Sequence, residues 1–275
     1  MTENSNEKKN ILTLLAEHAM ERTEAAKKVT SPADMKAMAL SLPKGDFPFT
    51  KALAKPELSF ICECKKASPS KGLIAPDFPY LQIAKEYEAA GADCISVLTE
   101  PKWFLGSNDY LKEITNAVST PCIRKDFTVD EYMIYEAKVL GASAVLLICS
   151  ILSDEQLRDY LAITKTLGLS ALVETHDAKE VERALAVGAE IIGVNNRNLK
   201  DFTVDQGNSA SLRALVPSNV LFVSESGITS PADVASVRAM GADAVLIGEA
   251  LMRSENKKAM LQEMKDAAAK AGAEK

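Results

Sequence analysis

The sequence predicts an α/β protein built on a single closed (β/α)8 barrel, and two regularities of the chain carry that prediction. The first is an alternation of eight short apolar segments with segments of helical periodicity; the apolar segments are residues 58–64, 94–99, 121–125, 144–149, 170–175, 191–195, 220–225 and 244–248. Strand–helix alternation implies parallel strands joined by right-handed crossovers. An open doubly wound sheet is the alternative, but a closed TIM barrel leaves no strand with an unpaired edge.

The second regularity is a repeated tripeptide that leads into every other apolar segment. Its four copies are Gly91-Ala-Asp, Gly141-Ala-Ser, Gly188-Ala-Glu and Gly241-Ala-Asp. Glycine suits the left-handed residue that follows the end of a helix. The repeating unit is therefore a pair of strand–helix modules that occurs four times.

Two helices are predicted before the first strand. Residues 10–28 carry apolar side chains on one helical face and acidic side chains largely on another. A second helix is expected over residues 31–41, because Ser-Pro-Ala-Asp at its start supplies a capping hydroxyl, a proline at the first helical position and an acid in the first turn. We assign residues 1–50 to a helical extension packed on the barrel and residues 51–275 to the barrel, as one domain overall.

Composition and charge argue against several classes of protein. No apolar run reaches the roughly 18 residues of a membrane span, and the first residues lack the pattern of a secretory signal, so we expect a cytoplasmic protein. A net charge of −6 without a long Lys/Arg block argues against a nucleic-acid partner. We expect a monomer or at most a weak homodimer.

The cysteines are expected to be reduced core residues, because each falls inside a predicted strand; they are Cys62, Cys64, Cys94, Cys122 and Cys149. A structural zinc site would need Cys-x-x-Cys spacing, which Cys62 and Cys64 do not provide, and the chain has only 2 histidines. We therefore expect no metal site.

The first predicted strand carries two charges in an unusual place. Glu63 and Lys65 lie at alternate positions of the apolar run that begins at Phe60, so both side chains point to the same face. Buried charges cost free energy unless they are paired or used. The two residues are therefore either a structural ion pair or part of an active site.

In a (β/α)8 barrel the active site lies at the C-terminal ends of the strands. Odd-numbered strands bring two amines and three carboxylates to that end, namely Glu63, Lys65, Lys125, Glu174 and Glu225. Other polar residues at strand ends are Thr99, Glu100, Asp126, Ser150, His176, Asn195, Arg197, Ser226 and Glu249. A cation beside carboxylates can donate a proton and a partly desolvated carboxylate can accept one, so proton transfer is the functional interpretation. A ring of mutual salt bridges is the structural alternative.

The loops after the seventh and eighth strands are expected to bind phosphate through backbone N–H groups. Ser226, Gly227 and Gly248 are small enough for the backbone to approach an anion closely. Arg197 and the loop from Ser68 to Lys71 can add charge and hydroxyl groups.

Three further residues have a structural explanation beside the functional one. His176 shares a strand end with Glu174, but a place at the start of the following helix explains it better. Phe104, like its neighbour Trp103, either lines an aromatic pocket or covers the rim of the barrel. Cys64 should point away from the mouth and pack against the helices.

Seven motifs in order resemble one enzyme family. They are Glu63-Cys-Lys-Lys-Ala-Ser-Pro-Ser-Lys-Gly72, Ser96-Val-Leu-Thr-Glu100, Arg124-Lys-Asp-Phe127, Leu172-Val-Glu-Thr-His-Asp177, Gly193-Val-Asn-Asn-Arg197, Ser224-Glu-Ser-Gly-Ile228 and Leu246-Ile-Gly-Glu-Ala-Leu-Met-Arg253. From Ile11 to about Arg253 the chain resembles the indole-3-glycerol phosphate synthases of tryptophan biosynthesis. The resemblance implies a helical extension over the barrel mouth and a reaction that needs no cofactor. The implied substrate is 1-(2-carboxyphenylamino)-1-deoxyribulose 5-phosphate, which closes a ring and loses carbon dioxide and water.

The resemblance also implies a role for each matching position. Lys125 would be the general acid that protonates the ketone oxygen, and Glu174 the base of the dehydration step. Lys65 would hold the substrate carboxylate and share or take over the acid role, a division that the sequence leaves open. The remaining implied roles are orientation by Glu63, Asn195 and Glu225, phosphate binding by Ser68, Ser226, Gly227, Gly248 and Glu249, and packing on the aromatic ring by Phe104, Phe127 and Leu147.

Few positions depart from the family pattern. Cys62 and Cys64 stand where aliphatic or aromatic residues are usual, and Asn196 stands where other small residues are usual, but none of the three has an implied role. The same-fold rival, phosphoribosylanthranilate isomerase, would not need Lys125 opposite Glu174. A catalytically silent binder of sugar phosphates is the rival from another class of protein.

Overall fold

The computed structural model describes residues 10–198 and 202–273, and eight of its strands close into a parallel barrel. The barrel strands are β1 Ser59–Cys64, β2 Cys94–Leu98, β3 Cys122–Lys125, β4 Ala144–Ile148, β5 Ser170–Thr175, β6 Ile191–Asn195, β7 Leu221–Glu225 and β8 Ala244–Ile247. Each strand begins and ends within one residue of its predicted segment. The predicted (β/α)8 fold is confirmed.

Pairing of the first strand with the last closes the ring. Ser59 pairs with Ala244 on one side of β1, and Ile61 pairs with Cys94 on the other. The remaining strands pair in the order in which they occur along the chain. Because all eight run in the same direction, their C-terminal ends surround a single mouth.

Helices follow the strands on the outside of the barrel. They are α4 Tyr80–Ala89, α5 Asn108–Ala117, α6 Glu131–Val139, α7 Asp154–Leu167, α8 Ala178–Ala186, α9 Gly207–Arg213, α10 Pro231–Ala239, α11 Glu249–Arg253 and α12 Lys257–Ala273. The glycines of the repeated tripeptide have the left-handed conformation expected of them, with φ of 79° at Gly91, 85° at Gly141, 83° at Gly188 and 88° at Gly241. Among the described residues, no helix combines the length and the apolar character that a membrane span requires.

Alternation along the strands divides the core into two layers. Ile61, Leu146 and Leu172 belong to the inner layer, which fills the barrel. Their neighbours Cys62 and Leu147 belong to the outer layer, between the barrel and the helices. The five cysteines are free and buried, as expected. Cys64 lies in the outer layer, and burial raises the pKa of its thiol well above the ordinary value.

Two of the helices before β1 were predicted, and they have the expected positions. Helix α1, Ile11–Val29, begins after the Asn10 cap, and helix α2, Pro32–Ser41, begins after Ser31, whose hydroxyl accepts from the Asp34 amide. α1 contributes Leu15 to the inner core layer and Ile11 to the cavity at the barrel mouth. Helix α1 therefore lies over the mouth, where the resemblance implies the extension to be.

A third helix, α3 (Pro48–Leu53), was not predicted, and it closes the opposite end of the barrel. Phe49 and Leu53 are fully buried in the inner core layer. Thr50 bonds through its amide and hydroxyl to Ser170, the first residue of β5. α3 crosses the predicted boundary at residue 50, and the division into extension and barrel stays a prediction.

Candidate active site

The barrel mouth opens into a cavity of about 530 Å³. It is lined by Ile11, Leu15, Glu63, Lys65, Ser68, Pro69, Ser70, Lys71, Leu98, Phe104, Lys125, Asp126, Phe127, Leu146, Ile148, Glu174, Asn195, Arg197, Phe202, Val204, Glu225, Ser226, Gly227, Ile228, Thr229, Leu246, Gly248 and Glu249. Every catalytic residue expected from the sequence lies on this surface. A volume of this size suits a small organic ligand.

Lys65 and Glu63 form an ion pair at the end of β1. The Lys65 Nζ atom lies 2.6 Å from Glu63 Oε1, and the Ser96 hydroxyl donates to Glu63 Oε2 at 3.3 Å. Burial alone would raise the pKa of Glu63, but the charges of Lys65 and Lys125 together with these hydrogen bonds lower it below the ordinary value. Glu63 is therefore ionised, and it holds Lys65 at the cavity wall.

Lys125, at the end of β3, lies between two carboxylates from other strands. Its Nζ atom is 3.2 Å from Glu225 Oε2 on β7 and 3.7 Å from Glu174 Oε2 on β5. Burial would lower the pKa of Lys125, but the charges of Glu225, Glu174 and Glu63 raise it above the ordinary range. The amine is therefore protonated, and its proton can be given to a group bound in the cavity.

Glu225 is the carboxyl group whose pKa the site raises. Burial is the largest cause; the charge of Glu174 adds to it, the charge of Lys125 opposes it, and the resulting pKa is about 7. One oxygen, Oε1, is buried and has no hydrogen-bond partner among the described residues. At neutral pH this group can hold or release a proton beside Lys125.

Asn195 connects the carboxylate of Glu174 with the loop after β6. Its amide nitrogen donates to Glu174 Oε1 at 3.3 Å, and its amide oxygen accepts from the Arg197 backbone at 3.0 Å. The Arg197 guanidinium in turn donates to the Phe202 carbonyl at 3.2 Å. This chain of hydrogen bonds orients Glu174 and the cavity wall together.

Gly193 and Gly248 have no side chain, and the carboxylates of Glu225 and Glu63 occupy the space that a side chain there would need. A Cβ atom at Gly193 would overlap Glu225 Oε1. One at Gly248 would lie 2.5 Å from Glu63 Oε1 and 2.9 Å from Lys65 Nζ. Neither glycine has positive φ, so the requirement for glycine here is one of space.

The aromatic pocket differs from the expectation at one residue. Phe104 and Phe127 line the cavity with their ring centroids 6.1 Å apart. Leu147 does not contribute, and its predicted role is wrong: it packs in the outer core layer, toward the helices. The adjacent residues Leu146 and Ile148 face the cavity instead, because successive strand residues point to opposite sides.

Small residues shape the loops after β7 and β8. Ser226 and Gly227 have φ of 66° and 81°, which turns the chain sharply at the cavity wall, and Gly248 precedes α11. Ser68 lies in a short hairpin in which Ala67–Ser68 pairs with Gly72–Leu73. The carboxylate of Glu249, which also lines the cavity, accepts from Arg253.

Asn196 was given no role from the sequence, and it supports the loop after β7. Its amide nitrogen donates to the Ser224 hydroxyl at 3.2 Å and to the Ser226 carbonyl at 3.1 Å. Its amide oxygen accepts from the amide and hydroxyl of Ser209 on α9. Two adjacent Asn residues gave no signal for this contact, because it depends on how two loops meet.

Two acids at strand ends bind the α1 helix. Glu100 accepts from the backbone of the loop that carries Phe104 and lies 3.1 Å from His18 Nδ1. Asp126 is 2.7 Å from Arg22, and the charges of Arg124 and Arg22 outweigh its burial and lower its pKa. These two carboxylates therefore fix the extension to the mouth.

His176 lies closer to the site than expected. It precedes Asp177, the cap of α8, as expected, but its Nε2 atom also lies 3.4 Å from Glu174 Oε1. Among the described residues, no cluster of three or more His, Cys, Asp or Glu side chains is arranged to hold a metal ion.

Comparison with known proteins agrees with this geometry. The family model for indole-3-glycerol phosphate synthase matches residues 12–264. The indole-3-glycerol phosphate synthase of Ruminiclostridium cellulolyticum is 54% identical over 259 residues, which are 94% of this chain and 100% of that protein. The one from Lacticaseibacillus casei is 56% identical over 239 residues, covering 86% and 92% of the two chains.

A solved structure with low sequence identity supports the fold alone. Thiamine phosphate pyrophosphorylase from Pyrococcus furiosus aligns with a TM-score of 0.60 at 14% identity, over 81% of this chain and 98% of that one. The family model and the close relatives carry the assignment, since they span the cavity residues from Glu63 to Glu249. The chain belongs to the indole-3-glycerol phosphate synthase family.

Proposed function

We propose that the protein converts 1-(2-carboxyphenylamino)-1-deoxyribulose 5-phosphate to indole-3-glycerol phosphate. A carbon–carbon bond forms between the carboxylate-bearing ring carbon and the ketone carbon, carbon dioxide leaves, and the resulting hydroxyl group is lost as water. The observation that carries the proposal is the position of Lys125 between Glu174 and Glu225, in the same cavity as the Lys65–Glu63 pair. Two amines and three carboxylates there can supply every proton transfer.

Lys125 is the general acid of ring closure. As carbon–carbon bond formation makes the ketone oxygen negative, the ammonium group donates a proton to it. The flanking carboxylates raise the pKa of Lys125, which supports a protonated amine in the free enzyme. Lys65 binds the substrate carboxylate until that group leaves as carbon dioxide, since its ammonium faces the cavity and Glu63 fixes it.

Glu174 is the base of dehydration. It accepts the proton that the new ring loses when the hydroxyl group departs as water. Asn195 fixes its orientation through the hydrogen bond to Oε1, and Lys125 lies on the side of Oε2. Glu225 holds Lys125 in reach of both the ketone oxygen and Glu174.

The two ends of the substrate are held apart from this chemistry. Phe104, Phe127, Leu146 and Ile148 form an apolar wall for the aromatic ring. We expect the phosphate to bind where the loops after β7 and β8 line the cavity with Ser226, Gly227 and Gly248, and where Ser68 and Arg197 also line it. With the substrate bound in this way, we expect the ketone carbon to lie within reach of Lys125.

Fluorescence tests the proposal, because the product contains an indole ring and the substrate does not. Lys125→Met and Glu174→Gln remove one proton donor and one acceptor with little change in shape. Each is expected to lower kcat by about 10²–10⁴-fold, the usual contribution of general acid or base catalysis. The matched controls Lys258→Met and Glu263→Gln change exposed residues of α12 and are expected to retain full activity.

The outcomes separate the competing functions. Wild-type protein that binds the substrate without forming indole would be a silent binder, and the proposal would fail. Normal turnover by both variants would leave the activity in place and refute the roles of Lys125 and Glu174. The proposal includes a cytoplasmic location, which the five free cysteines support. The expectation of a monomer or weak homodimer stays a prediction.

A further inference from the structure

A half-buried imidazole, that of His176, lies beside the proposed base Glu174. His176 follows β5 and lies outside the set of residues that line the cavity. Its Nε2 atom is 3.4 Å from Glu174 Oε1, and among the described residues that buried nitrogen has no hydrogen-bond partner. Buried polar atoms are rarely left unsatisfied without a reason. The carboxylate of Glu174 is the group at which this nitrogen is directed.

The other side of the ring is firmly held. His176 Nδ1 lies 3.2 Å from Glu180 Oε2, which also accepts from the His176 backbone amide at 2.8 Å. The Ser150 hydroxyl donates to Glu180 Oε1 at 2.6 Å. The Glu180 carboxylate therefore takes the hydrogen of Nδ1, which fixes the ring with Nε2 directed at Glu174.

We propose that His176 is a positioning residue for Glu174: as an imidazolium between two carboxylates, it orients the Glu174 carboxylate and keeps a positive charge beside it. The inference rests on the proposed role of Glu174 as base. It adds a chain of three groups, Glu180, His176 and Glu174, that runs from helix α8 into the cavity. Ser150 fixes the outer end of this chain.

The charges around the ring favour the imidazolium. Three carboxylates face it, Glu174 from β5, Glu180 from α8 and Glu225 from β7. Burial lowers the pKa of His176, but the hydrogen bond to Glu180 and these charges raise it overall. The other neighbours are the neutral side chains of Ser150 and Asn208, while Lys125 faces Glu174 and Arg183 is paired with Asp154.

Substitution His176→Asn removes the positive charge and keeps a polar group. The Glu174 carboxylate then lacks one of its two cationic neighbours, and loss of a nearby positive charge favours the protonated form of a carboxyl group. We expect the acidic limb of the kcat–pH profile to move upward by about one pH unit, so that kcat at a given pH on that limb falls about 10-fold while the plateau above the limb changes less. KM is expected to change less than about two-fold, because His176 does not line the cavity.

A second variant tests the outer support. Glu180→Gln is expected to move the same limb in the same direction by a smaller amount, since the imidazole loses its partner but stays in place. The matched control is Glu182→Gln, an exposed acid on the same helix, which is expected to leave the profile unchanged. A uniform loss of kcat at every pH in both variants, with the limb unmoved, would show a merely structural role and overturn the proposal.

NMR tests the contact without relying on activity. The chain has only 2 histidines, so the imidazole signals can be assigned with a His18 variant. We expect His176 to titrate above the ordinary histidine range and Glu180→Gln and Glu174→Gln each to lower its midpoint. An unchanged midpoint in both variants would refute the contact. Wild-type protein that made no indole product would refute the proposed function, and this titration would still decide whether the three groups interact.

Discussion

Burial of the Glu225 carboxyl group couples its protonation to the free energy of unfolding. Its folded-state pKa of about 7 lies above the ordinary value of 4.5, so between these pH values the folded protein holds a proton that the unfolded chain has lost. The stabilisation from this proton is complete below pH 4.5 and is lost as the pH rises to about 7. The full shift corresponds to about 3 kcal/mol.

Glu225→Gln is therefore expected to gain stability relative to wild type as the pH rises. The difference in free energy of unfolding should increase by about 3 kcal/mol between pH 4.5 and pH 8, because the amide cannot be forced to ionise. Urea denaturation at both pH values measures it, with Glu263→Gln on α12 as the exposed control. An identical difference at both pH values would mean that Glu225 titrates normally in the folded protein.

The sequence correctly predicted which strand residues point into the barrel where a charged residue lies on that face of the strand. The charges of Glu63 and Lys65 showed which alternate residues of β1 point inward, and both residues line the cavity. β4 has no such mark, since Ala144–Ile148 is apolar throughout, and Leu147 was assigned to the wrong side. A uniform apolar run is buried on both faces, so its pattern cannot tell inward from outward residues.

The contact between His176 and Glu174 was also not predicted, although the spacing between His176 and its partner Glu180 is visible in the sequence. The two residues are four positions apart, a spacing that brings side chains together at a helix start. The 3.4 Å distance between His176 Nε2 and Glu174 Oε1 could not be predicted, because it depends on the path of the chain between β5 and α8.

Among the elements, α1 is attached to the mouth by ion pairs of unequal burial. Arg22 binds Asp126, whose side chain is fully buried, at 2.7 Å. Lys27 binds Asp130, with 21% and 32% of the two side chains exposed. Removing one partner of a buried pair costs more than removing one at the surface, because a buried charge remains.

Arg22→Met is expected to lower the free energy of unfolding by about 2 kcal/mol, and Lys27→Met by less than about 1 kcal/mol. Arg22→Met should also raise KM, because α1 covers the cavity with Leu15. Urea denaturation and steady-state kinetics measure the two effects. Equal losses of stability, or an unchanged KM in Arg22→Met, would show that this ion pair does not hold the helix over the mouth.

Helix α3 was not predicted from the sequence, whereas the preceding helix α2 was. α2 begins with a serine cap and a proline, which are local signals. α3 begins after Phe47, which has left-handed φ and makes no side-chain capping bond. Its stability comes from burying Phe49 and Leu53 under the barrel, and packing of this kind is invisible in a local pattern.

Phosphate is expected to stabilise the folded protein, since a ligand that binds only the folded state shifts the unfolding equilibrium. At ten times its Kd, inorganic phosphate should add about 1.4 kcal/mol, or roughly 2–3 °C in Tm for a chain of this size. Gly227→Ala should reduce the shift, because a side chain there is strained at φ 81° and meets Val204.

Gly188→Ala is a closely matched control. Gly188 has φ of 83° and nothing within 4 Å of an added Cβ, and it precedes β6 at the end of the barrel opposite the cavity. Both variants carry similar backbone strain, and only Gly227→Ala adds a contact with Val204, so the phosphate response is compared with each variant's own Tm without phosphate. Equal shifts in the two variants and wild type, measured by thermal unfolding with and without phosphate, would place the anion elsewhere.

The space left at Gly193 and Gly248 restricts how this site can change over evolutionary time. Each position tolerates a methyl group only after the neighbouring carboxylate has moved or been replaced, whereas the proposed function needs that carboxylate for turnover. The order of substitutions is therefore constrained. With the proposed roles of the carboxylates, a protein that acquires a larger residue at Gly193 or Gly248 must pass through an inactive variant. Mutational surveys should find these two positions as intolerant as the acids themselves, although neither glycine carries a reactive group.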